Sequence, residues 1–264
     1  MKLSEKKRVV IKLGTSTLTH KTGRLNLRRV HNLVRVLSDL YNSGREIILV
    51  SSGAVGLGTG KLGLRSRPTD TPTKQAAAAV GQCELMYMYD KQFANYSITV
   101  AQILLTKTIL ENERKKNVEN CFQKLLQMGV IPIVNENDTV AIDELELEIG
   151  ENDSLSAVVA TLAKADLLLI LSDIDGLYSA DPRQSEDAQL IPVVETIDAQ
   201  IEAVAGGAGS SLGTGGMATK INAAKIATAA GIDMVIMSGD DPEKLYDLFE
   251  DKPIGTHFLA NHNE

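Results

Sequence analysis

The chain has 264 residues, 44% of them hydrophobic and none of them tryptophan. That suffices for one large α/β domain whose core is built from Val, Ile, Leu and Ala. Lys and Arg number 27 against 34 Asp and Glu, a formal charge of −7, which argues against the basic face that a nucleic acid needs.

Short apolar runs recur along the chain: Val9–Leu13, Ile47–Val50, Ile98–Leu105, Val130–Val134, Leu167–Leu171 and Met234–Met237. Their continuous apolar character predicts strands covered on both faces. Helical patterns lie between them. Leu27, Val30, Val34, Leu37 and Tyr41 share one helical face, with Asn26 placed to cap its start and Gly44 to stop it. Residues 74–93 and 108–128 read similarly, and 217–230 is an alanine-rich helix after a glycine cluster. Strand–helix alternation predicts a three-layer αβα sandwich around a mostly parallel sheet. One stretch departs from it: Val140–Ile149 alternates apolar and acidic residues, as an exposed hairpin or edge strand does. One domain over 1–264 is expected, with an N-terminal lobe to about residue 165 and a C-terminal lobe over about 166–264.

The charged N-terminus, Met1–Arg8, precedes only a short apolar run, so neither a signal peptide nor a membrane span is expected and the location is read as cytoplasmic. Cys83 and Cys121 fall in helical patterns beside apolar neighbours and read as buried, reduced thiols. Neither has a Cys or His at ligand spacing, so no metal site is expected on them. His20, His31, His257 and His262 are scattered and none is assigned to catalysis.

Five constellations carry chemistry. Lys12 ends the first strand before Gly14-Thr15-Ser16. Ligands of open α/β sheets sit beyond the strands' carboxyl ends, and a lysine in an apolar run calls for an anion. Ser51-Ser52-Gly53-Ala54 follows the second strand, and its small residues suit an anion-binding nest. The later Gly58-Thr59-Gly60-Lys61-Leu62-Gly63 matches a dinucleotide fingerprint in form only, because it does not directly follow a strand. Asn135-Glu136-Asn137-Asp138 and Gly150-Glu151-Asn152-Asp153 flank the hairpin. Together they offer carboxylates for an ammonium group and amides for a carboxylate; an ordinary Asx-rich turn is the plainer alternative. Ser172 and Asp173 end the most apolar strand, where a nucleotide would lie, ahead of Asp175-Gly176 and Asp181-Pro182-Arg183. Finally, Gly213-Thr214-Gly215-Gly216-Met217-Ala218-Thr219-Lys220 is a glycine-rich loop entering a helix, a phosphate-binding arrangement in which Lys220 adds a point charge.

In this order the five motifs resemble the amino acid kinase family, and within it the glutamate 5-kinases. The resemblance covers nearly the whole chain. It implies the amino acid kinase (carbamate kinase-like) fold and transfer of phosphate from ATP, with Mg²⁺, to the γ-carboxylate of L-glutamate, giving L-glutamyl 5-phosphate at the start of proline biosynthesis. It implies that Lys12 and Lys220 contact the transferring group and that Asp153 orients both. Ser52, Gly53, Asn137, Asp138 and Asn152 would hold glutamate. Lys12, Gly14, Ser172, Asp173, Thr214, Gly215, Gly216, Met217, Ala218, Thr219 and Lys220 would hold ATP, and Mg²⁺ would ride on the phosphates without a protein cage. It further implies proline as feedback inhibitor, a glutamate-5-phosphate reductase as a possible partner, and a homo-oligomer, dimer or tetramer. Glu151 stands where such enzymes often have Asp. Many of them carry a C-terminal PUA domain, which a chain ending at Glu264 is expected to lack. Two alternatives stay open: a sibling kinase, such as one acting on N-acetylglutamate, and a non-catalytic nucleotide- or amino-acid-sensing module.

Overall fold

In a strand, successive side chains point to opposite faces, and this alternation sorts the core into two layers. A computed structural model describes residues 2–20, 25–106, 112–140, 152–182, 185, 187–207 and 216–261. In β1 (Arg8–Leu13), Val9, Ile11 and Leu13 join one hydrophobic cluster and Val10 joins the other. β2 (Glu46–Val50), β5 (Leu167–Ser172) and β7 (Asp233–Ser238) divide in the same way. Their runs are apolar throughout because both faces are covered. The remaining strands are β3 (Thr99–Leu105), β4 (Val130–Glu136), β6 (Val193–Val194) and β8 (Thr256–Phe258).

The eight strands form one sheet in the order β3-β4-β2-β1-β5-β7-β8-β6, parallel except where β7 meets β8. One layer of helices includes α2 (Leu27–Asn42), α4 (Thr71–Ala94) and α9 (Lys244–Phe249). The other includes α5 (Asn112–Gln127), α6 (Asn152–Ala163), α7 (Ala199–Gly207) and α8 (Met217–Ala229). The three-layer αβα expectation holds. The chain runs from β1 to β2 on one side and adds β5 on the other, so the order reverses between β1 and β5. Such a switch point opens a crevice at the strands' carboxyl ends.

Local signals were legible where caps exist. Asn26 accepts a hydrogen bond from the Arg29 N–H at the start of α2, and Gly44 takes the left-handed conformation (φ 99°) just past its end. Asp70 caps α4 in the same way, accepting from the Thr73 N–H. Leu27 proves 65% exposed rather than part of the buried face.

Two expectations are corrected. Cys83 and Cys121 are exposed, not buried, because their helices turn other residues inward. The run expected as a fully covered strand over Ile98–Leu105 forms the edge strand β3, in which Thr99 and Gln102 are exposed and only Leu105 is buried, because the helices cover the sheet less completely at its edge. The glycine-rich stretch after Ser52-Gly53 is a helix, α3 (Ala54–Lys61). One glycine from each helix serves the contact between α3 and α4: a Cβ on Gly58 would lie 1.8 Å from the Ala77 carbonyl oxygen, and one on Gly81 of α4 would lie 1.7 Å from that of Ala54, whereas Gly56 and Gly60 face open space. Backbone cannot step aside as a side chain can. Gly81→Ala is therefore expected to destabilise the fold by about 2 kcal/mol or more, read from urea unfolding; a change near zero would contradict so close a crossing.

Far from the crevice, at the amino-terminal end of β7, buried Lys6 pairs with Asp233 at 2.7 Å. Asp233 also accepts from the Ala260 N–H at 2.8 Å. His257 stands 3.6 Å from the same carboxylate, and the Lys6 and Ala260 contacts tie the two ends of the chain to β7. Among the described residues no helix is long and apolar enough to cross a membrane. Of the expected hairpin only Val140 is described, 57% exposed; the rest lies outside the described residues.

Candidate active site

Alternation decides where Lys12 points. It shares parity with Val10, so its side chain enters the layer that contains α6 and α8. Asp153, second residue of α6 and completely buried, meets it there: Lys12 Nζ lies 2.7 Å from Asp153 Oδ1. Lys220, in the first turn of α8 and only 3% exposed, reaches the other oxygen, Oδ2, at 3.1 Å. One carboxylate thus bridges two ammonium groups drawn from opposite ends of the chain. Burial alone would push the Asp153 carboxyl up, but the two lysines outweigh burial and hold it below the usual aspartate range. An acidic side chain in the first turn of α6 is also favoured by that helix's dipole.

Thr219 belongs to the same cluster. Its hydroxyl lies 3.0 Å from Asp153 Oδ2 and 2.8 Å from the Gly216 carbonyl oxygen. A hydroxyl has one proton, so it serves one of these acceptors at a time. Nothing in its sequence position announced this contact. Gly216 begins α8 as its N-cap, followed by half-buried Met217 and exposed Ala218. Thr214 and Gly215 lie outside the described residues, as do Glu151 and Arg183.

The strand ends gather the remaining candidates. Gly14 continues the β1–β5 ladder, its N–H 3.4 Å from the Leu171 carbonyl oxygen. Ser172, buried at the end of β5, donates to Asp173 Oδ1 at 3.0 Å, and Asp173 is exposed. Ser52 Oγ donates to the Leu13 carbonyl at 2.7 Å, which ties the ends of β2 and β1 together. Gly53 caps α3 with φ 98°, a conformation that disfavours any side chain. Asn152 Nδ2 donates to the Ser51 carbonyl at 3.1 Å, bringing the start of α6 against the end of β2.

The Asn-Glu-Asn-Asp segment is less of a turn than its composition suggests, because β4 continues through Glu136. Asn135 shares parity with Ile131 and Ile133, so it is buried on the α4 side, opposite Lys12. Asn137 follows the strand, its N–H bonded to the Leu105 carbonyl at 2.7 Å, and its side chain accepts from the Thr139 hydroxyl at 2.6 Å. Asp138 is half-buried. Burial pushes its carboxyl up, and the Arg67 guanidinium only partly opposes this. A carboxylate so placed gains from the arrival of a further cation.

Among the described residues no three or more His, Cys, Asp or Glu side chains are grouped to hold a metal. Both Asp153 oxygens are taken by lysines. A divalent cation arriving on a nucleotide would keep phosphate oxygens and water as ligands.

A model of the amino acid kinase family matches residues 7–238. A protein named glutamate 5-kinase from Clostridium perfringens is 55% identical over 265 residues, spanning 99% of this chain and 98% of its own. The one from Listeria monocytogenes is 49% identical, spanning 99% and 96%. The one from Moorella thermoacetica is 54% identical, over 97% of this chain and 68% of its own length. Among solved structures, carbamate kinase from Giardia lamblia bound to AMP-PNP superposes with a TM-score of 0.66 at 16% identity, over 98% of this chain and all (100%) of that one. UMP kinase from Bacillus anthracis gives 0.65 at 16%, over 97% of each. These two bear on the fold alone; with the family model and the close relatives, they leave one assignment: the chain belongs to the amino acid kinase family.

Proposed function

We propose that the chain is an enzyme that transfers the γ-phosphoryl group of ATP to the γ-carboxylate of L-glutamate, giving L-glutamyl 5-phosphate and ADP, the first step of proline biosynthesis. The observation that carries this is the Lys12–Asp153–Lys220 bridge at the sheet's switch point, in a chain about half identical to proteins named glutamate 5-kinase.

Glutamate's side chain, with an ordinary pKa of about 4.3, is ionised at neutral pH. The nucleophile needs no general base, and no histidine is assigned one. A carboxylate oxygen attacks the γ-phosphorus as the bond to the ADP oxygen breaks, and ADP leaves with the electron pair. No proton moves. The obstacle is repulsion between a carboxylate and a polyanion, so catalysis lies in alignment and charge stabilisation. Two lysines and one aspartate leave a net positive charge beside the reacting group. The α8 N-terminus adds its dipole and N–H groups. Mg²⁺ enters with ATP as part of the co-substrate.

In this reading the half of the sheet built before about residue 165 holds glutamate and the half after it holds ATP. Ser52, Gly53, Asn137, Asp138 and Asn152 face the amino acid. Gly14, Ser172, Asp173 and the 216–220 segment face the nucleotide, and Thr214 and Gly215 are assigned to it by the family resemblance. The enzyme works in the cytoplasm as a homo-oligomer, with proline as inhibitor. Its product, a labile acyl phosphate, favours a reductase as partner.

Asp138→Ala is expected to raise KM for glutamate about tenfold or more, with kcat little changed, if Asp138 pairs with the substrate ammonium. Steady-state kinetics decide it; a fallen kcat at unchanged KM would contradict the role. The same pairing disfavours an N-acetylated substrate, which lacks that charge.

The overall test is ATP consumption with hydroxylamine trapping across glutamate, N-acetylglutamate, aspartate and carbamate. Turnover with glutamate alone supports the proposal. Turnover with a sibling substrate, or ATP binding without any turnover, overturns it.

A further inference from the structure

Three polar side chains line up behind the expected glutamate wall, on the sheet face away from the lysines. Asn135, 2% exposed, donates from Nδ2 to Gln82 Oε1 at 2.9 Å. Gln82 donates from Nε2 to Gln102 Oε1 at 3.3 Å. The three come from the end of β4, the middle of α4 and the edge strand β3. Because Asn135 faces α4 while Lys12 faces α6 and α8, Asn135 is not aimed at the reacting phosphoryl group.

The placement suits another purpose. Asn135 is covalently followed by Glu136, Asn137 and Asp138, whose direction depends on how β4 ends. That end is held on β3 by the Asn137 N–H, and on α4 by the Asn135 amide. α4 is a stiff support, since Gly81, adjacent to Gln82, brings it against the backbone of α3. α3 itself starts immediately after Ser52-Gly53. Gln82, half-buried directly after the run Ala76–Val80-Gly81, uses both ends of its amide, accepting from Asn135 and donating to Gln102. A buried amide left without its acceptor is costly, which makes the Asn135–Gln82 bond a strong determinant of the loop's geometry.

We infer that Gln82 is a positioning residue for the amino-acid substrate: through Asn135 it fixes the aim of Asn137 and Asp138. This rests on the proposed glutamate reading. Q82M keeps the side chain's length and removes both hydrogen bonds. Q82E keeps an acceptor for Asn135 Nδ2, and the Gln102 amide can turn to donate to it. In the full chain, Q82M is expected to raise KM for glutamate about tenfold, a lost hydrogen bond of ordinary strength, while KM for ATP and kcat stay within about twofold. Q82E is expected to recover most of the loss.

A merely structural glutamine would lower the melting temperature without splitting the two KM values. An unchanged KM for glutamate in Q82M, an equal rise in KM for ATP, or a Q82E as impaired as Q82M would each overturn the inference. If wild-type enzyme turns over glutamate and Q82M matches it, the inference alone fails. If the wild type does not use glutamate, the functional reading fails and takes the inference with it.

Discussion

Lys12→Ala and Lys220→Ala should each lower kcat/KM at least about a hundredfold, ~2.7 kcal/mol of transition-state stabilisation, the scale of a lost oxyanion donor. Each ammonium lies against the same carboxylate, so one phosphoryl group placed there meets both. The reaction has no proton to move, so fixed positive charge is the chief resource the chain has for it. Lys→Met variants separate charge from packing, because they keep an apolar stem of similar length in the same buried slot. Circular dichroism and thermal melting establish that each variant is folded before rates are compared. Near-wild-type turnover in any folded variant at either position would remove the two-lysine mechanism.

The edge strand β3 is covered less than its apolar run suggests; the central strands were legible because they are covered on both faces and therefore apolar nearly throughout. The same property hid which way each residue points. Nothing in Val9–Leu13 distinguishes Val10 from Ile11, yet that alternation sends Lys12 toward Asp153, and in β4 it turns Asn135 away from the site. The Asp153 bridge entered the reading through family resemblance; spacing alone does not bring residues 12, 153 and 220 together. Glycines at 58 and 81 have no local signature, since what they answer to is a helix distant in sequence. Gln82 left a trace, a polar residue just after an alanine run, but its partner Asn135 is 53 positions away. β6 and β8 are two and three residues long, too short for any periodicity. Cys83 read as buried because α4 is rich in small apolar residues on every side, so its sequence does not reveal which face turns inward.

Asp153→Asn is expected to separate stability, binding and catalysis at one position. The substitution keeps the shape and removes the charge, leaving Lys12 and Lys220 buried and uncompensated beside each other. Breaking a buried ion pair from one side costs about 3–5 kcal/mol, so the variant should unfold at distinctly lower denaturant. ATP should restore much of that stability, since a polyanion binding only the folded state stabilises it and also replaces the missing negative charge. Without a carboxylate competing for the ammonium groups, KM for ATP should not rise, while kcat should fall about a hundredfold as the lysines lose their common anchor. The wild-type ion pairs also set an acid limit. The folded Asp153 titrates below an ordinary aspartate, so its contribution is fully present above the unfolded value, about pH 4. It disappears only as pH falls through the lower folded value, and the Asn variant should lack that part of the acid dependence. Denaturation with and without ATP, at neutral and at low pH, tests each step. A variant as stable as the wild type would mean the bridge is not what holds the two lysines, and one equally fast would mean their alignment does not depend on it.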